Sequence, residues 1–136
     1  MDTNLNALIY SYLSTLPAIT DIVGTRIYPD FGPTQPIKPY IVFSTVSSSP
    51  FQSMNGPTTL NRKRIQFDCY GWNTVSVSDL NNALITALNG KHLNIDGVQC
   101  NTFLINDLNV SDGPKDASQQ ALYCIKSDYN FVYRTN

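Results

Sequence analysis

Residues 61–90, NRKRIQFDCYGWNTVSVSDLNNALITALNG, change hydrophobic period once, and that change restricts the folds open to the chain. In the first half Ile65, Phe67 and Cys69 alternate with Arg64, Gln66 and Asp68, which describes a strand with one dry face and one wet face. In the second half Val77, Leu80, Ala83, Leu84, Ala87 and Leu88 recur at spacings of three and four, the pattern of an amphipathic helix. Thr74 or Ser76 is expected to cap that helix, because a hydroxyl there accepts from an early unpaired backbone N–H. Asp79, placed in the first turn, would suit the positive end of the helix dipole. Gly90 can take the left-handed conformation that closes it. A strand that feeds directly into a helix, each with one apolar face, predicts that the two cover each other.

Upstream, Leu5, Leu8, Ile9, Tyr12, Leu13 and Leu16 trace one face of a first helix capped by Asp2 or Thr3 and stopped at Pro17. Residues 18–23 read as a short apolar turn ending at Gly24. Arg26, Ile27 and Tyr28 form a brief strand stopped by Pro29, and the proline-rich segment 30–39 is an irregular loop. Residues 40–46, YIVFSTV, are β-branched and aromatic and read as a second strand. Residues 47–60, SSSPFQSMNGPTTL, read as a long polar loop with a turn at Asn55-Gly56-Pro57. Beyond the second helix, residues 91–95 form a short extended piece ending at the Asp96-Gly97 turn. Residues 98–110 form a strand whose alternation breaks at Phe103-Leu104-Ile105, which predicts a bulge there. Residues 111–119 are a second polar loop. The last strand, 121–134, puts Tyr123, Ile125, Tyr129, Phe131 and Tyr133 on one face, with Ser127 the exception. The expected fold class is α+β: a two-layer sandwich, with a largely antiparallel sheet of four to five strands and two helices on one face.

At 136 residues the chain is read as a single domain, 1–136, of globular composition: 42% hydrophobic and 14% charged. A net charge of −1 argues against general nucleic-acid binding. No apolar run approaches the roughly 20 residues of a membrane span, and no positive residue precedes the apolar N-terminus as in a signal peptide. The three cysteines, Cys69, Cys100 and Cys124, lie in strand-like runs and are expected to be reduced core residues made in an intracellular setting. All ten acidic residues are aspartate.

Candidate chemistry is sparse. The single histidine, His92, has no cysteine or carboxylate at metal-ligand spacing and is read as a surface residue. Asp107 and Asp112 are read as turn caps, and Trp72 at the strand-to-helix corner as a core or hinge packer. There is no nucleophile elbow, phosphate-binding glycine loop or zinc pattern. No catalytic, cofactor-binding or metal residue is therefore assigned. The run Arg62-Lys63-Arg64 reads either as a guard on an edge strand or as a contact to an acidic partner. Phe51 and Met54 are apolar residues that the 47–60 loop does not need for solubility. Beside Arg62 and Lys63 they mark a candidate interface with a neighbouring subunit or partner.

RIYPD, PYIVFSTVS and RIQFDCYGWNTVSVSDLNNALITALNG, in that order behind a short N-terminal helix, resemble the tail-completion (tail terminator or head–tail joining) proteins of long-tailed bacteriophages. The resemblance runs over nearly the whole chain. It implies a non-enzymatic virion protein without cofactor, assembled in the host cytoplasm. Its subunits would form a homo-oligomeric ring, commonly hexameric, that caps the tail tube protein and offers a joint to the head-completion or connector protein. No membrane and no sequence-specific nucleic acid is implied as a partner. Two other readings stay open: a monomeric head-completion or neck adaptor, and an unrelated small ligand-binding α+β domain, which an apolar pocket with converging polar groups would favour.

Overall fold

The computed structural model describes residues 5–32, 37–53, 56–95, 97–111, 113 and 121–134, and for 49–53 and 56–60 only the backbone. The elements in chain order are α1 (Leu5–Ser14), α2 (Pro17–Val23), β1 (Ile27–Pro29), β2 (Tyr40–Ser53), β3 (Gly56–Gly71), α3 (Thr74–Leu88), β4 (Lys91–Ile95), β5 (Val98–Asn109) and β6 (Tyr123–Arg134). The strands form one six-stranded sheet in the order β1-β2-β3-β6-β5-β4. All neighbours are antiparallel except β1 and β2. The class is α+β as expected, but the described residues form six strands and three helices instead of four to five and two. The extra helix is α2, where the sequence reads as a turn. Pro17 does end α1, yet it also starts α2 at the first helical position, where its missing N–H and fixed φ are harmless.

The helices fill one side of a curled sheet. Helix α3 lies against β3, β5 and β6, α2 packs on α3, and α1 touches both edge strands, β1 and β4. Ile65, Phe67 and Cys69 are fully buried on that side together with Val77, Leu80, Leu84 and Leu88 of α3. The predicted mutual cover of strand and helix is thus present. Phe67 sits at the centre, stacked on Phe43 at 5.7 Å and meeting Tyr129 edge-on at 5.4 Å. Leu5, Ile9 and Leu13 of α1 join the same core. The proposed caps Asp2 and Thr3 lie outside the described residues.

The β3–α3 corner departs from the expected capping. Asn73 is the cap: its side chain accepts from Ser76 N at 2.8 Å, while the Ser76 hydroxyl accepts from Asn73 N at 3.1 Å. This reciprocal arrangement satisfies two orphan donors at once. Ser76 is therefore the third helical residue instead of the cap, and Asp79 falls beyond the first turn. Gly71 makes the tight approach possible. A Cβ there would lie 2.5 Å from Ser76 Oγ and 2.9 Å from Val77 N. At the other end Gly90 takes φ +65° as expected of a closing glycine.

Two regions show what long-range pairing adds. The expected loop 47–60 is largely strand: β2 runs on to Ser53 and β3 begins at Gly56. Gly56 and Pro57, expected in the turn, are paired in the ladder with Ser53 and Gln52. In β5 the predicted bulge is present, with the register slipping between Leu104 and Asn106 so that Ile105 is the extra residue.

Candidate interface surfaces

The sheet side away from the helices bears a mixed surface of paired charges, tyrosines and apolar side chains. On β3 the residues that alternate with buried Ile65, Phe67 and Cys69 point to it: Arg62, Arg64, Gln66, Asp68 and Tyr70. From β6 come Lys126, Asp128, Asn130, Val132 and Arg134. Arg64 donates to Asp128 Oδ2 through Nε at 3.0 Å and Nη2 at 2.6 Å. One row away Lys126 donates to Asp68 at 3.1 Å. Toward the β1 side Tyr40 stacks on Tyr70 at 4.6 Å and meets Tyr28 at 6.1 Å. Burial raises the Tyr70 hydroxyl pKa, with the neighbouring Cys124 and Asp68 adding to the shift.

Strand β5 completes this face with three large apolar side chains. Phe103, Ile105 and Leu108 are 50%, 40% and 61% exposed. Phe103 opposes Asn130 and Leu108 opposes Lys126, which places both on the outer side. The bulge at Ile105 shifts the alternation by one, so Leu108 faces outward where an unbroken strand would turn it inward. A depression of about 320 Å³ opens here, lined by Ser47, Arg62, Arg64, Ile105 and Asn130. The bulge was legible in the sequence. Its effect on the outer face was not, because it depends on which strand β5 pairs with.

A second feature is an arm. Strand β6 accompanies β3 only as far as Leu60, and β1 accompanies β2 only at Ile41–Phe43. Beyond these points β2 and β3 continue to Ser53 and from Gly56, and among the described residues their ends pair only with each other. A two-stranded ribbon without a third strand or a covering helix is marginal in water.

The residues selected from sequence are distributed unevenly over these features. Phe51 lies in the arm with only its backbone described, and Met54 lies outside the described residues. Arg62 is exposed on the outer face. Lys63, as its strand neighbour, turns to the opposite side, paired in register with Ser48 and Phe131. The two cations therefore leave β3 on opposite sides. The edge-guard reading of the run fails as well, since β3 is a central strand flanked by β2 and β6. Trp72 is 60% exposed and is not a core residue. Its Nε1 donates to Lys38 O at 3.0 Å, and Lys38 Nζ stands 5.7 Å from the ring, which ties the corner to the strand entry. His92 is on the surface, 2.6 Å from Asn101 Oδ1. Asp107 accepts from Asn81 at 3.2 Å instead of capping a turn, and Asp112 lies outside the described residues. No cluster of metal-ligating side chains occurs among the described residues, and none of their helices is long and apolar enough to cross a membrane.

The sequence matches the family described as tail completion protein gp17 over residues 7–133. The chain belongs to the tail completion protein gp17 family. It is a structural protein of a phage tail. The fold agrees with a chain in the solved virion of a native gene transfer agent (GTA) particle, at a TM-score of 0.69 and 15% identity. That likeness covers 96% of this chain and 95% of the other. Among curated proteins no sequence matches.

Proposed function

We propose that this tail completion protein is a single-domain ring subunit that caps the finished tail tube and presents the joint to the head connector. The observation that carries the reading is the arm. A ribbon that overhangs its own sheet gains little from its own fold, and its backbone suits contact with a neighbouring copy or the tube. Phe51 in the arm would be an apolar anchor together with Met54, with Arg62 at the arm's base meeting a partner's polar rim and Lys63 contributing from the opposite side. The work is mechanical, without cofactor, and assembly takes place in the host cytoplasm before the virion is complete. The shallow outer depression is lined mainly by polar side chains, which suits a protein contact better than capture of a small apolar ligand.

Size-exclusion chromatography with light scattering, on the protein alone and mixed with isolated tails, tests the reading. A closed oligomer alone, or one formed on tails, is the expected result. A monomer in both settings overturns the ring and favours the single-copy neck adaptor.

A further inference from the structure

The two broad faces of the molecule differ in charge. The described residues of α1, α2 and α3 include Asp21 and Asp79 and no lysine or arginine. On α3 the exposed residues Val75, Asp79, Asn82 and Thr86 follow spacings of four, three and four, which places them on one solvent-facing stripe. Val75 is 68% exposed, so the stripe combines an apolar side chain with a carboxylate one turn on. The outer sheet face has the opposite character. Strands β3 and β6 place four cations on it, Arg62, Arg64, Lys126 and Arg134, against two anions, Asp68 and Asp128. Beside the cations lie the exposed apolar side chains of Phe103 and Ile105 and the 320 Å³ depression.

We infer that the helix stripe Val75–Asp79 of one copy docks on the Arg62–Phe103–Ile105 region of the outer sheet face of the next. The inference rests on the ring reading and names the two faces that would meet. Three features of the pairing support it. The charges are complementary, so the encounter is steered and the reversed orientation is disfavoured. Each face offers apolar area beside its charge, as an interface core with a polar rim requires. The two faces are different patches of one chain, so the contact is head-to-tail, the type that generates rings when the rotation closes.

A mixing experiment tests it on the full chain. Arg62→Glu puts a carboxylate opposite Asp79, and Asp79→Arg puts a cation opposite Arg62, so each variant alone carries a like-charge contact at every joint. Each is expected to raise the concentration needed for assembly by about tenfold or more. Both positions are exposed, so circular dichroism and thermal melting should match the unaltered protein. In a 1:1 mixture the joints alternate between a restored contact of reversed polarity and an unaltered one, and assembly should return to even-numbered species by mass photometry. If the unaltered protein assembles and either variant alone does so equally well, the contact is wrong. It is also wrong if both variants are folded monomers and the mixture stays monomeric. Normal self-assembly of Arg62→Glu, with failure to dock on tails or on the connector, would assign the sheet face to a different acidic partner and overturn the proposal. Failure of the unaltered protein to assemble, alone and on tails, would instead remove the ring reading and this contact with it.

Discussion

Ser127 on β6 donates its hydroxyl to Asn81 Oδ1 on α3 at 2.9 Å, and the Asn81 amide passes the chain on to Asp107 of β5 at 3.2 Å. Ser127 is fully buried and Asn81 is 3% exposed, so this bond lies inside an otherwise apolar helix–sheet contact. It fixes where α3 sits along β6, since sliding the helix would leave two buried polar groups unpaired. Asn81→Ala should therefore destabilise the protein by about 1–3 kcal/mol. In a double-mutant cycle with Ser127→Ala, a coupling of about 0.5 kcal/mol or more is expected from urea unfolding. Strictly additive losses would show that the two side chains act independently.

Leu84 is fully buried on α3 facing the Phe67 side of the sheet. Leu84→Ala should lower stability by about 2–5 kcal/mol, through lost transfer energy and the cavity left behind. Denaturant unfolding measures this directly, and a loss under about half a kcal/mol would place the side chain outside the core.

Gly71 tests the corner. A methyl group there meets Ser76 Oγ and the Val77 backbone, so Gly71→Ala must displace the first turn of α3. A cost of about 1–3 kcal/mol is expected from overpacking. Asn73→Ala should cost about 0.5–2 kcal/mol through loss of the cap alone. Together the two should fall short of the sum, because both act on the Ser76 contact, and hydrogen exchange at residues 74–77 should quicken in each.

The thiols make a prediction about pH. Burial pushes Cys100 up to about 12. Burial and the nearby Asp68 carboxylate raise Cys124 to about 11, against the lowering effects of Lys126 and Tyr70. Cys69 is raised as well, chiefly by burial. In an unfolded chain these thiols titrate near 9.0. Above that pH the unfolded state loses protons that the native state keeps, so the thiol contribution to stability is complete below about 9 and declines toward 11–12. Urea midpoints should fall across that window, and Cys100→Ser with Cys124→Ser should flatten the decline. At pH 8, alkylation of the native protein should run about a hundredfold slower than in urea. A disulfide between any two of the three in non-reduced protein would contradict the reading.

Shortening the arm to a tight hairpin, by removing residues 50–59 with a two-residue turn, should leave the melting temperature within a few degrees. The removed ribbon pairs with nothing else among the described residues. Completion of tails with heads should be lost. Rings and infectious particles at normal yield would show that the arm is only a connection.

How much of this was legible in the sequence follows from the range of each signal. The β3–α3 unit, the bulge near Ile105, the closing Gly90 and the burial of the cysteines are local. The period of the side chains reports which side of an element is dry, and a glycine or a broken alternation marks its own position. The arm was not legible, because serine, proline and glycine read as loop until a partner strand supplies the hydrogen bonds. The run Arg62-Lys63-Arg64 left an edge guard and a partner contact both open because charge marks exposure, and nothing local says that a strand arriving from residues 123–134 will flank it. Ser127 looked like an exception to its strand for the same reason, since its partner Asn81 is 46 residues away. Sequence thus determined which faces seek cover. Only the tertiary structure decided which element provides it and which surface remains open, because that choice is a competition among distant pairings settled by total burial and hydrogen bonding.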